Sequence, residues 1–102
     1  MTVAVKIITP VRCDAADLSR RTARYAMAAG PQARIEVFNI PGGPQRLACA
    51  DDLACSDAAA FEVGMDTRPE DFDAILFDCV FDAGLGPLRE AAPVPVFGPL
   101  SF

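Results

Sequence analysis

The 102-residue sequence predicts an α/β domain built on a parallel sheet, and three stretches carry that prediction. Residues 3–8 (VAVKII) and 74–77 (AILF) are short aliphatic runs bounded by polar or turn-forming residues, the pattern of strands buried on both faces. Between residues 72 and 98 the order strand, tight loop, helix, strand is legible, and a crossover of that length makes the two strands parallel neighbours with a right-handed connection.

The first strand, 3–8, is closed by Thr9 and Pro10. Lys6 interrupts its apolar character, and the expectation is a stem lying along the sheet with its ammonium in water. Asp14 has the chemistry of an N-cap, and Asp17, three residues on, adds a second acid at the positive end of a helix. Leu18, Thr22, Tyr25 and Ala29 share one helical face, Arg20, Arg21 and Arg24 occupy others, and Gly30-Pro31 ends the helix. Residues 33–39 (ARIEVFN) alternate, Ile35 and Val37 against Arg34, Glu36 and Phe38, which marks an edge or partly covered strand. Pro41-Gly42-Gly43-Pro44 breaks regular structure. The alanine- and acid-rich stretch 47–64 reads as one or two short helices with caps at Asp51 or Ser56, and 64–70 as a loop returning to the sheet. Asp73 leads into the strand at 74–77, a tight connection spans 80–84, Leu85, Leu88 and Ala91 or Ala92 have helical spacing, and 94–97 forms a last strand. The predicted fold is a single flavodoxin-like, doubly wound domain over residues 1–102, with a four-stranded parallel sheet in the order 2-1-3-4.

Composition narrows the function classes. A chain with 52% hydrophobic residues and this length supports one core. Its net charge of −5 supplies no basic surface of the kind nucleic acid demands. No apolar run is long enough to span a membrane and the N-terminus has no signal-peptide pattern, so no membrane association and a cytoplasmic location are expected. Cys13, Cys49, Cys55 and Cys79 form no C-x-x-C pair and are expected as reduced thiols. There is no histidine, which removes Ser-His-Asp and Cys-His catalysis, His-liganded zinc and HExxH chemistry together. No glycine-rich nucleotide motif is present, so neither metal nor organic cofactor is implied.

In open parallel sheets chemistry sits beyond the carboxyl ends of the strands, where Cys79 falls. Asp73-Ala74, Cys79, Asp82, Gly84-Leu85, Arg89-Glu90 and Pro95-Val96-Phe97-Gly98 together resemble the signature around the first catalytic cysteine of the aspartate/glutamate/hydantoin racemase superfamily. The resemblance implies half of a two-domain protein in which each half gives one cysteine. It also implies cofactor-independent proton transfer on an amino acid or hydantoin. Two groups that exchange protons must flank the reacting carbon, and thiols serve because thiolates form near neutral pH. On this reading Cys79 is the proton-transfer residue and backbone N–H groups of Val80, Phe81 and Asp82 bind developing negative charge. Thr9 and Arg12 contact a carboxylate or hydantoin substrate. With no second half in the sequence, the opposing cysteine is expected from a second copy in a homo-oligomer.

Departures from the pattern define the alternative. The loop after the first strand, Thr9-Pro10-Val11-Arg12, keeps only the proline of the N-P-N-T/S form. Gly43-Pro44-Gln45-Arg46-Leu47-Ala48 loses the hydroxyl and acid usual after the second strand. Asp78 beside Cys79 raises the thiol pKa if both face one way, whereas strand alternation sends neighbours to opposite faces. Cys79 reads equally as an apolar filler, Thr9 as a strand-end hydroxyl, Arg12 as a solvated surface charge, and Asp82 and Gly84 as turn formers. The alternative function is accordingly a shortened, non-catalytic binding or assembly domain, with one-proton chemistry such as decarboxylation or isomerisation as a third reading.

Overall fold

The computed structural model describes residues 2–42, 50–78 and 85–98. Strands β1 (Val3–Ile8), β2 (Ala33–Phe38), β3 (Ala74–Phe77) and β4 (Val96–Phe97) alternate with helices α1 (Ala15–Ala29), α2 (Ala50–Met65) and α3 (Leu85–Ala91). All pairings are parallel, and the sheet order is β2-β1-β3-β4, as the sequence predicts.

The register sorts the sheet's two faces. Lys6 pairs with Glu36 and Ile75, Ile8 with Phe38 and Phe77, and Ile75 with Val96, so these side chains share one face. Ile8, Ile75, Phe77 and Val96 on that face join Ile40, Ala60 of α2 and Leu88 of α3 in the main core. Burying each of the larger side chains is worth about 1.5–3 kcal/mol relative to exposure. The opposite face carries Ile7, Val37, Leu76 and Phe97, and α1 packs against it at β2. No residue of α1 is fully buried, and Val3 and Phe97 remain 45% and 41% exposed.

Local chemistry explains most element ends. Asp14 is the N-cap of α1, its carboxylate accepting from the Asp17 N–H at 2.8 Å, and Gly30 ends the helix at φ 72°. Asp73 ties the start of β3 to β1: its carboxylate accepts from the Ala4 N–H at 2.8 Å while its own N–H donates to the Ala4 carbonyl at 2.7 Å. A Cβ added at Gly64 would lie 2.5 Å from Leu88 Cδ1, so glycine is what lets α2 and α3 approach.

Three sequence expectations are corrected. Residues 50–65 form one helix, one of the two options the sequence left open, but Ser56 is no cap: it is buried mid-helix, its hydroxyl donating to the Pro10 carbonyl. On α1, Thr22 is exposed and Arg21 takes the inward position. Lys6 does not reach water. It is 2% exposed, and its ammonium donates to the Val63 and Asp66 carbonyls at the end of α2, at 2.8 and 3.2 Å. The carbonyl end of a helix is its negative pole, so α2 gains a buried counter-charge there. The Phe38 ring, 4.4 Å from Nζ, adds a cation–π contact. Burial holds the Lys6 pKa below its ordinary value, with Asp66 and Glu36 opposing that shift.

Candidate active-site edge

The carboxyl ends of β1, β2 and β3 bring Thr9, Asn39 and Asp78 to one edge of the sheet. In-register pairing puts them there, since Ile8 is opposite both Phe38 and Phe77 and each strand leaves the sheet at the next residue. Thr9 N–H still donates to the Phe38 carbonyl at 3.1 Å, and Asp78 N–H to the Ile8 carbonyl at 2.9 Å.

The loop from β1 to α1 is pinned by side chains of its neighbours. Asn39 grips Cys13 by both backbone groups: the Cys13 N–H donates to Asn39 Oδ1 and Asn39 Nδ2 donates to the Cys13 carbonyl, each at 2.8 Å. The Thr9 hydroxyl accepts from the Ile40 N–H at 3.2 Å and lies 2.8 Å from the Val11 carbonyl, with Asn39 Oδ1 as a second acceptor at 3.3 Å. Ser56 holds the Pro10 carbonyl from below. A hydroxyl has one proton and two lone pairs, so Thr9 is fully engaged inside the loop. It is 0% exposed, which makes it a residue that fixes the loop. Arg12 is exposed in the same loop.

A second group of side chains links α1 to the end of β3. Arg21 Nη1 lies 2.7 Å from Asp78 Oδ2 and its Nε 3.2 Å from Asp17 Oδ2, while the Tyr25 hydroxyl donates to Asp78 Oδ1 at 2.5 Å. Arg21 and Asp78 are both largely withdrawn from solvent, with 19% and 18% of their side-chain surface exposed. Burial works against the Arg21 charge, yet the hydrogen bonds to Asp78 and Asp17 hold its pKa above the ordinary value. Burial, then the bond to Asp78, pushes the Tyr25 hydroxyl well above its ordinary range. The Cys13 thiol, whose Sγ lies 3.5 Å from the Val11 carbonyl, is pushed up by burial and then by the neighbouring Asp17 carboxylate, which is itself held low by Cys13 and Arg21.

Of the residues the sequence singles out, Thr9 and Arg12 lie together in the β1 loop, whereas Cys79, Val80, Phe81 and Asp82 fall outside the described residues. Asp78 turns to α1. Sequence reasoning missed Asn39, Arg21, Tyr25 and Ser56 as organisers of this edge. The available signal was the spacing of Arg21 and Tyr25, four residues apart and so on one helical face. A cavity of about 310 Å³ adjoins this edge at Asn39 and Pro41 and runs along Lys6 and Phe38 to Glu62, Val63 and Asp66. Among the described residues no group of His, Cys, Asp and Glu is arranged to hold a metal ion, and no helix is long and apolar enough to cross a membrane.

A family model described as Asp/Glu/Hydantoin racemase matches residues 15–101. No curated protein matches the chain. Among solved structures, allantoin racemase from Klebsiella pneumoniae is similar with a TM-score of 0.79 at 23% sequence identity. The match covers 95% of this chain and 39% of that one, so the chain spans about two-fifths of the length of its structural relative. At that identity the likeness is one of fold.

Proposed function

The chain belongs to the Asp/Glu/hydantoin racemase family, and on that footing we propose that it is a cofactor-independent racemase or isomerase acting on an amino acid or hydantoin through cysteine-mediated proton transfer. Cys79 is the thiol that removes or returns the proton at the carbon next to the substrate carbonyl. Backbone N–H groups of Val80, Phe81 and Asp82 hold the enolate-like charge that develops, where fixed dipoles act without reorganisation. Arg12 meets the substrate carboxylate or ring carbonyl, and Thr9 serves by holding the loop that presents Arg12. The observation that carries this reading is the family match over residues 15–101, which runs through Cys79 and the loop behind it.

The second proton-transfer group comes from another copy of the chain. Racemisation needs groups on both faces of the carbon, and a two-fold axis at the sheet edge sets Cys79 opposite its symmetry mate. Allantoin contains a hydantoin ring whose C–H lies next to a carbonyl, so a hydantoin is the substrate class to try first.

Solvent deuterium exchange at that carbon tests the proposal, measured on amino acids and hydantoins alongside solution mass, with Cys79→Ser as control. Exchange that disappears in Cys79→Ser, from a protein that self-associates, supports it. A monomer with no Cys79-dependent exchange overturns it and leaves the shortened binding or assembly domain as the reading.

A further inference from the structure

Lys6 is the one lysine of the chain and the one charged side chain of β1, and it is 2% exposed. An apolar side chain of similar length would fill that place without desolvating a charge, so stability is a weak reason for an amine there. Its nitrogen stands in the wall of the cavity of about 310 Å³: Lys6 lines that cavity, and so do the residues that touch its ammonium. These are Val63 and Asp66, by their carbonyls at 2.8 and 3.2 Å, and Phe38, by its ring at 4.4 Å. The volume is at the lower end of that of small-molecule sites. Because burial holds the pKa of Lys6 below its ordinary value, more of it is neutral amine, and hence nucleophile, than of a surface lysine at the same pH.

We propose that Lys6 is a covalent binding site for small neutral aldehydes or ketones, which enter the cavity beside Phe38, Pro41 and Val63 and form an imine with Nζ. The nitrogen lone pair adds to the carbonyl carbon and the carbonyl oxygen takes up a proton. The carbinolamine then loses that oxygen as water while the nitrogen gives up a proton. Amine plus carbonyl yields imine plus water, and nothing is oxidised or reduced. Glu62 and Asp66, on the same lining, supply the carboxylates that carry these protons. The protonated imine is a cation at the same atom, so the carbonyl end of α2, Asp66 and Glu36, which favour the ammonium, favour it as well. Its one remaining N–H serves the closer acceptor, the Val63 carbonyl, and the longer bond to the Asp66 carbonyl is released. Neutral ligands are favoured because the walls at Phe38, Pro41 and Val63 are apolar, whereas a keto acid brings a charge of the same sign as Glu62, Asp66 and Glu36. The proposal is independent of the reading of Cys79.

Reductive trapping on the full chain provides the test. The folded protein is incubated at pH 7 with benzaldehyde and cyanoborohydride, which converts an imine to a stable benzylamine, and the labelled positions are read peptide by peptide by mass spectrometry. The chain has two amines, Lys6 and the α-amine of its N-terminus, and the second is the internal reference. The ratio of Lys6 to N-terminal labelling should be about ten-fold higher in the folded protein than in the same chain unfolded in urea, where Lys6 is an ordinary lysine, because the fold both holds the aldehyde and desolvates the amine. Glyoxylate, an anionic aldehyde, should show a several-fold smaller rise, and the double variant Glu62→Gln, Asp66→Asn, changed at two exposed positions, should narrow the gap between the two aldehydes. A ratio no higher in the folded protein than in urea shows the ammonium to be a fixed pin and overturns the proposal. Equal rises for both aldehydes overturn the assignment of a neutral ligand, and a gap unchanged in the double variant overturns the part given to Glu62 and Asp66. Trapping in Cys79→Ser should match the parent, so failure of the racemase reading and failure of this one are separate results.

Discussion

Replacing Asn39 by alanine removes the clamp on the loop that carries Arg12. Two bonds of 2.8 Å to the Cys13 backbone are lost, together with the weaker 3.3 Å contact to the Thr9 hydroxyl. Cys13 and Asn39 are half-buried, so water replaces part of what is lost, and each of the two good bonds is taken at about 1 kcal/mol rather than at the full penalty of a buried orphan. The expected loss is therefore about 2 kcal/mol, which lowers the melting temperature of a domain of this size by about 10 °C. Asn39→Asp keeps an acceptor for the Cys13 N–H but faces the Cys13 carbonyl with another oxygen, and should cost more than about 1 kcal/mol. Urea denaturation followed by circular dichroism measures both, with the midpoint falling and the slope unchanged. Limited trypsinolysis gives a local reading: the bond after exposed Arg12 should be cut about 30-fold faster in Asn39→Ala if opening of the loop follows the same ~2 kcal/mol. A loss below about 0.5 kcal/mol with unchanged cleavage after Arg12 would show that the loop holds itself, and the account of Asn39 would be wrong.

The chain has one tyrosine and no tryptophan, so absorbance at 295 nm reports Tyr25 alone. In the folded protein it should stay protonated well above pH 10, and because its folded pKa is raised, its contribution to stability is complete below pH 10 and declines as pH rises beyond; Tyr25→Phe should lose that dependence, and an ordinary titration near pH 10 would exclude the bond to Asp78. Gly64→Ala should destabilise by about 1 kcal/mol, the overpacking against Leu88 exceeding the gain in helix propensity. In the Leu88→Ala background the same change should become stabilising, and additivity of the two in a denaturation cycle would refute the close approach. Cys13, half-buried with its thiol pKa raised, should be alkylated at pH 8 several-fold more slowly than exposed Cys55, and equal rates would contradict its burial beside Asp17.

The sheet was legible because its signals are local. Runs such as Val3–Ile8 and Ala74–Phe77 show their burial in composition, and crossover length settles strand direction and neighbourhood. What organises the site edge was not legible, because it depends on which polar group meets which across the fold. Thr22 and Arg21 differ by one position on α1, and periodicity assigned the inward place to the smaller and less polar side chain. The carboxylate of Asp78, 57 residues away in sequence, reverses that choice. Ser56 has the chemistry of a cap and is used as a mid-helix strut, since a buried hydroxyl takes whichever acceptor is near, here the Pro10 carbonyl. Lys6 failed for the same reason: a strand lysine reads as a snorkelling stem until the end of α2 supplies carbonyls for its ammonium.

These contacts bear on how an acidic chain meets an anionic substrate. At physiological salt a surface charge is felt over roughly 8 Å, so the overall charge of −5 matters less at the sheet edge than the groups standing there. Asp17 and Asp78 are both bonded to Arg21, and Asp17 also to Arg20 at 3.3 Å, so these two carboxylates have their charge offset locally. Arg12 is exposed in the loop held by Asn39, Thr9 and Ser56. If Arg12 is the substrate contact proposed above, Arg12→Glu, which leaves the core untouched, should weaken binding of an anionic substrate far more than that of a neutral hydantoin. Equal weakening of both would mean that Arg12 acts through the shape of the loop and not through its charge.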